Sequence, residues 1–410
     1  MLTKKTRGGV VYAQLNLRFG DLGSLSGKAT TAQATGQLLI RGTKNKSRQQ
    51  IQDEIDRLKA RINVGGGPTG ANANVETVEA NLPGALRLVA EILREPSFPE
   101  NELEQIRQLR IASVESGKSE PQSIASLEFS RHMNPRPRDD VRYIGTFEEQ
   151  VADAKKVTLD EVRRFHQQFY GASNGELVVV GQFDTAQVEQ LAAELFGTWK
   201  SPSHYERLVN NYQKIEPTDR KFETPDKTNA LFIAGLKLQM HDEDPDYPAM
   251  VLGNYIFGGS GGSRLFKRIR DKEGLSYGVG SSFGAPTKDD SATFTGNAIS
   301  NPQNAPKVET SFKDELARTL KDGFTAEEVT AAKKAWLEER LVQRSQDQSL
   351  MGALGAREFW GRTMKWDEAL EAKVAALTPE QVSAAFRRHI DSSALTVVKA
   401  GDFKKAGVLQ

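Results

Sequence analysis

Thr158-Leu-Asp-Glu-Val162 and Val178-Val-Val-Gly181-Gln-Phe183 return in the same order as Thr378-Pro-Glu-Gln-Val382 and Val398-Lys-Ala-Gly401-Asp-Phe403, each 220 residues later. Upstream, Phe98-Pro-Glu-Asn-Glu102 pairs with Phe324-Thr-Ala-Glu-Glu328, and Ser119-x-x-Gln122-Ser123 with Ser345-x-x-Gln348-Ser349, both at an offset of 226. Four matches in the same order, at nearly constant spacing, point to one duplicated unit rather than a solenoid, which needs more copies. The expected fold class is therefore α+β, with two similar α/β-sandwich domains. A chain of 410 residues has room for both. The first is expected over 1–200 and the second over 227–410. Between them, 201–226 carries Pro202, Pro217 and Pro225 among polar residues and reads as the connection.

Local patterns fill in the first copy. Val11, Ala13, Leu15, Leu17 and Phe19 alternate with polar residues, as a half-buried strand does. Ser47-Arg-Gln-Gln50 has the form of a capping box, and Ile51, Ile55, Leu58 and Ile62 then lie on one helical face. Gly65-Gly66-Gly67-Pro68 reads as the stop and turn after that helix. Ala71 to Glu79 reads as extended, Leu82–Arg94, Glu100–Glu115 and Leu159–Phe169 as helices, and Glu176–Phe183 as a strand. The opening Met1-Leu2-Thr3-Lys4-Lys5-Thr6-Arg7 leads into no apolar signal-peptide region, and a chain that enters a sheet so early suggests something removed in front of it.

Composition narrows the chemistry. Lys plus Arg is 55 against Asp plus Glu at 54, so a nucleic-acid partner, which favours a basic surplus, is not expected. Apolar runs are a few residues long, far short of a membrane span. Cysteine is absent, which removes disulfides, thiol nucleophiles and Cys-ligated metals, and leaves periplasm and cytosol equally open. The five histidines, His132, His166, His204, His241 and His389, include no pair spaced for two metal ligands on one helix face. His132 reads as a loop residue and His166 as a helix-flank residue. His241-Asp-Glu-Asp-Pro-Asp246 lacks the glycine and terminal glutamate of a calcium loop and reads as a solvated loop. Gly258-Gly-Ser-Gly-Gly-Ser263 lacks the Gly-Lys-Ser/Thr of a phosphate loop and reads as a hinge or a backbone surface for a peptide.

The segment Ser263-Arg-Leu-Phe-Lys-Arg-Ile-Arg270-Asp-Lys-Glu-Gly274-Leu-Ser-Tyr277-Gly-Val279 carries the candidate site. Ser263 can cap a short helix that buries Leu265, Phe266 and Ile269 and ends at Gly274. Tyr277, Val279 and Ser281 then alternate along a strand. Arg270 and Tyr277 could converge and donate hydrogen bonds to a carbonyl oxygen or a developing oxyanion. A charged helix that merely precedes a strand is the plainer alternative.

With these residues in view, the chain resembles the pitrilysin/insulinase superfamily of zinc metallopeptidases, family M16, over nearly its whole length. The resemblance rests on Ile40-Arg-Gly-Thr43, Asn72-Ala-Asn, Phe98-x-x-x-Glu102, Phe169-Tyr-Gly171 with Val179-Val-Gly181, and Ser263-Arg-Leu-Phe266 through Gly274-Leu-Ser-Tyr277. It implies that Arg270 and Tyr277 act on the scissile carbonyl of a peptide, in trans to a zinc ion. It also implies four α+β units forming two half-shells, of which this chain is one, of the LuxS and processing-peptidase type. Active relatives carry His-x-x-Glu-His before a Gly-Thr pair and a third ligand on a later helix. Registered on Gly42-Thr43, those positions hold Gln33, Gly36, Gln37 and Ser113. No zinc or other cofactor is therefore expected in this chain.

The resemblance thus implies the non-zinc half or subunit of a metalloendopeptidase. Alone it would be inactive; its partners would be a His-x-x-Glu-His half that holds zinc, and a peptide substrate. The alternative is a non-catalytic core or peptide-binding subunit of the processing-peptidase kind.

Overall fold

The computed structural model describes residues 1–408. In chain order the first half gives β1 (Leu2–Thr3), β2 (Val10–Arg18), α1 (Ala29–Leu38), α2 (Arg48–Arg57), β3 (Arg61–Gly67), β4 (Gly70–Val78), α3 (Leu82–Arg94), α4 (Glu100–Gly117), α5 (Pro121–Met133), α6 (Phe147–Lys156), α7 (Leu159–Phe169), β5 (Gly175–Gly181) and α8 (Thr185–Phe196). The second half gives β6 (Asp219–Glu223), β7 (Ala230–Leu238), α9 (Tyr247–Asn254), β8 (Gly278–Gly284), β9 (Ala292–Ser300), α10 (Ala305–Asp322), α11 (Ala326–Ser345), α12 (Asp347–Phe359), α13 (Lys365–Ala376), α14 (Pro379–His389) and β10 (Thr396–Gly401).

The strands form two five-stranded mixed sheets of the same topology. Their orders are β1-β5-β2-β4-β3 and β6-β10-β7-β9-β8. In each, the first pair is parallel and the rest antiparallel. The α+β class and the duplication are thus both present in the structure. The repeated threonines do the same work in both copies: Thr158 and Thr378 each cap a helix through a reciprocal box, with Glu161 and Gln381 respectively.

Each sheet buries one face under helices. In the first, Val11, Ala13, Leu15 and Leu17 of β2 point into a core shared with Leu86, Val89 and Leu93 of α3 and with Phe165 and Phe169 of α7. In the second, Phe232, Ala234, Leu236 and Leu238 of β7 meet Phe257, Phe294, Phe312 and Phe386. Strand alternation supplies both faces, since successive side chains point to opposite sides.

The compact units are not contiguous in sequence. One comprises Met1–Val114, Arg136–Leu208 and Val342–Met364; the other comprises Glu115–Pro135, Val209–Leu341 and the chain from Lys365 on. The division at 1–200 and 227–410 therefore needs amending by two exchanged helices. Helix α5 packs Ala125, Phe129 and Met133 against Leu231, Val398 and Ala400 of the second sheet. Helix α12 places Met351 on Val178 and Val180 of the first. The connection 201–226 is also shorter than expected, because its end is strand β6.

Two local expectations are corrected. The helix capped by Ser47 ends at Arg57, and Lys59 turns the chain at φ +47°. Ile62 therefore lies on β3 rather than on the helix, where it is still buried. Gly65–Gly67 is the end of the same strand, paired with Gly70–Asn72, not a helix stop.

Candidate functional site

Arg270 and Tyr277 stand at the two ends of one hydrogen-bonded segment. Arg270 lies on a helical stretch, Phe266–Lys272, of π-type winding, while Leu265 and Ile269 are fully buried beneath it. Gly274 adopts φ +62°, a conformation glycine enters without steric cost, and its N–H returns to the Arg270 carbonyl at 3.2 Å. Leu275 N–H bonds the Ile269 carbonyl at 2.9 Å. Tyr277 N–H then joins Ile299 O on β9 at 3.0 Å, just before β8 begins.

Both side chains face solvent. Tyr277 is 69% exposed, and its hydroxyl donates to Asn301 Oδ1 at 3.3 Å. The Arg270 guanidinium lies 4.5 Å from the centre of the Phe266 ring, a cation–π contact. No hydrogen bond joins Arg270 to Tyr277 among the described residues. Each is a donor held by a local partner that a stronger acceptor could replace.

The segment is anchored by two other arginines. Arg264 donates to both Glu328 oxygens at 2.7 and 2.6 Å, to Thr319 Oγ1 at 3.0 Å and to the Gly323 carbonyl at 2.8 Å. Arg268 reaches Glu273 at 2.9 Å and the fully buried Glu315 at 3.4 Å. These contacts fix the helix turns on either side of Arg270.

Of the four residues that the resemblance sets at zinc-site positions, Gln33 and Gln37 are exposed on α1 and Ser113 is exposed on α4. Gly36 is buried, and a Cβ there would fall 2.3 Å from the Gly66 carbonyl oxygen. A Cβ on Gly66 would in turn meet the Tyr170 hydroxyl at 2.5 Å. The Tyr170 hydroxyl is buried without a hydrogen-bond partner, and burial pushes its pKa well above the usual phenol value. Two amides, a hydroxyl and a glycine with no room for a side chain do not fit a zinc ion, nor do they leave a carboxylate to activate water.

His132, His166 and His389 have structural partners. His132 sits in the last turn of α5, not in a loop, with Nε2 2.8 Å from the Glu216 carbonyl. His166 Nε2 donates to the Leu93 carbonyl at 2.8 Å and its ring stacks 4.7 Å from Tyr170. Burial lowers its pKa. His389, Asp244 and Asp246 come within 4.8 Å of one another, but Asp246 already pairs with His389 at 2.9 Å and with Arg388. No described helix is long and apolar enough to cross a membrane.

The family described as "Peptidase M16 inactive domain" matches residues 156–335. The crystal structure of a peptidase M16 inactive domain from Pseudomonas fluorescens superposes with a TM-score of 0.83 at 26% identity, over 97% of this chain and 94% of that one. The chain is similar to M16 peptidases in sequence and in fold.

Relatives of this chain carry two kinds of name. An uncharacterized zinc protease of Streptomyces coelicolor is 25% identical over 85% of this chain and 76% of its own length. A non-peptidase homologue of Helicobacter pylori is 20% identical over 95% and 89% respectively. A sequence alone could not have shown the Gly36–Gly66–Tyr170 stack, since its three members lie on α1, on β3 and beyond α7. The Arg264 and Arg268 anchors lie within 263–279, yet their acidic partners are 46 to 64 residues away except for Glu273.

Proposed function

We propose that this chain is the non-zinc half or subunit of a metalloendopeptidase, completed by a partner that carries His-x-x-Glu-His. In that assembly the partner's zinc activates water, and Arg270 and Tyr277 polarise the substrate carbonyl and stabilise the tetrahedral oxyanion. The observation that carries this reading is a contrast within one chain. The metal positions hold Gln33, Gly36, Gln37 and Ser113, whereas Arg270 and Tyr277 remain exposed donors on an anchored segment. Strand β8, which follows Tyr277, is an edge strand, so an extended peptide has an unpaired rim beside the pair.

The test is complementation. The purified chain should hold no stoichiometric zinc and cleave no peptide; mixed with an M16 half bearing His-x-x-Glu-His from the same source, it should. Arg270→Ala should then cut turnover by ~10²–10³ while leaving zinc content unchanged. Full turnover by that variant would remove the role assigned to Arg270.

A second reading has support in the non-peptidase homologue, which aligns over 95% of this chain. It makes the chain a non-catalytic or peptide-binding subunit. Co-purification with a partner but no cleavage in any mixture would favour it.

A further inference from the structure

The turn that carries Arg270 is wound in a rare way, and one side chain closes it. The Glu273 N–H reaches back five residues to the Arg268 carbonyl at 2.9 Å. Winding of this π type is rare, occurs mostly as single turns and is frequent at functional sites. A turn of this kind needs a tie from outside the backbone ladder to hold it against ordinary α-winding. Here the same two residues are joined a second time through their side chains, Arg268 Nε donating to Glu273 Oε1 at 2.9 Å. Arg270 lies inside the loop that these two bonds close, and its carbonyl takes the Gly274 N–H at 3.2 Å.

The duplication supplies a comparison inside the chain. In the second copy Arg268 also reaches Glu315 of α10 at 3.4 Å. In the first, Lys46 meets Glu91 of α3 at 2.6 Å. Helices α3 and α10 each follow the last antiparallel strand pair of their sheet, and the matched residues stand 222 and 224 positions apart. This link between loop and helix is therefore common to both copies and belongs to the fold. So do the pairs of Arg41 with Glu102 and of Arg264 with Glu328. Glu273 differs. Lys46 pairs with no carboxylate besides Glu91 among the described residues, and the offset of 222 sets Ile51 at the place of Glu273. The second tie is confined to the copy that carries Arg270 and Tyr277.

The Glu273 side chain is mostly buried, with 26% exposed, and so is that of Arg268, with 25% exposed. Such an ion pair is a weak source of stability, because taking the charges out of water offsets much of their attraction. What it fixes is geometry. We propose that Glu273 is a positioning residue, which holds the π-type turn so that the Arg270 guanidinium is presented to the acceptor that Tyr277 also serves. This rests on the role proposed above for Arg270. Glu273 itself touches no substrate; it acts through the side chain and the carbonyl of Arg268.

Hydrogen exchange of the full chain tests this without any partner, at the Gly274 and Leu275 amides that donate to the Arg270 and Ile269 carbonyls. Glu273→Ala should speed their exchange about tenfold or more, as expected for loss of a charge-assisted bond, while the amides of β7 and β9 exchange as before. Glu273→Gln, which can still accept from Arg268, should speed it less. Unchanged exchange at Gly274 and Leu275 in Glu273→Ala would overturn the proposal. A mutant cycle in the complemented assembly tests the consequence. Glu273→Ala should lower kcat about tenfold or more with KM little changed, and should lower it no further in an Arg270→Ala background. An equal loss in both backgrounds would make Glu273 a general structural residue and overturn the positioning role. If the unaltered mixture cleaves nothing, the complementation reading falls, and the exchange measurement alone decides whether Glu273 holds the turn.

Discussion

Gly36 and Gly66 touch backbone to backbone: a methyl group on Gly36 would sit 2.3 Å from the Gly66 carbonyl oxygen. Helix α1 and strand β3 can approach this closely only because neither residue has a side chain. At Gly36, this chain has closed the space with its own backbone.

Gly36→Ala should therefore destabilise the fold by about 1–3 kcal/mol, the usual cost of forcing atoms into a packed interior. Urea denaturation would measure it. Introducing histidines at Gln33 and Gln37 together with Gly36→Glu should cost more than the alanine alone. An unchanged midpoint for Gly36→Ala would mean that helix and strand part easily.

Tyr277→Phe separates function from stability. The ring is 69% exposed and its hydroxyl holds only Asn301, so stability to urea should stay within the range of a surface change, about 0.5 kcal/mol. Turnover in the complemented assembly should nevertheless fall by ~10²–10³. A loss of stability that matched the loss of activity would make Tyr277 a structural residue.

Arg264→Ala should lower stability by more than the ~1 kcal/mol of an exposed ion pair and by less than the ~3–5 kcal/mol of a fully buried one. Burial alone would raise the pKa of Glu328, but hydrogen bonds from Arg264 and Thr325 outweigh it and hold the carboxyl below its ordinary 4.5. The unfolded chain thus binds this proton more readily. The pair's contribution is complete above pH 4.5 and is lost as pH falls through the lowered folded value. Acid titration of stability should be shallower in the variant below pH 4.5.

His166 sets a second pH window. Burial holds its imidazole below the usual 6.5, so the unfolded state takes up the proton first and stability falls as pH drops below 6.5. In His166→Gln the slope between pH 6.5 and the lowered value should flatten, measured by denaturant midpoints across that range. An identical slope in both proteins would assign it to other groups.

Much of the fold was legible from local signals. Ser47, Thr158 and Thr378 announce helix starts because a capping side chain acts within three residues. The alternation through Val11 to Leu17 announces β2 because strand sidedness has period two. The failures were equally local. Ile62 fits a helical period, but the helix had already ended at Arg57, and a glycine run that can stop a helix can also pair as an edge strand. The duplication shows the boundary well. The matched Glu102 and Glu328 were visible, and each proves to hold an arginine, Arg41 at 3.1 Å and Arg264 at 2.6 Å. Those arginines lie 61 and 64 residues upstream, where no spacing rule could pair them.

By itself the sequence determined the α+β class and the doubling of the unit. Each of these is fixed by residue identity or by periods of a few residues. Only the tertiary structure decided that α5 and α12 exchange sheets, that Gly36 is sealed by Gly66 beneath Tyr170, and that Arg268 reaches Glu315. These depend on packing between segments distant in the chain, where shape and burial, not pattern, choose the partner.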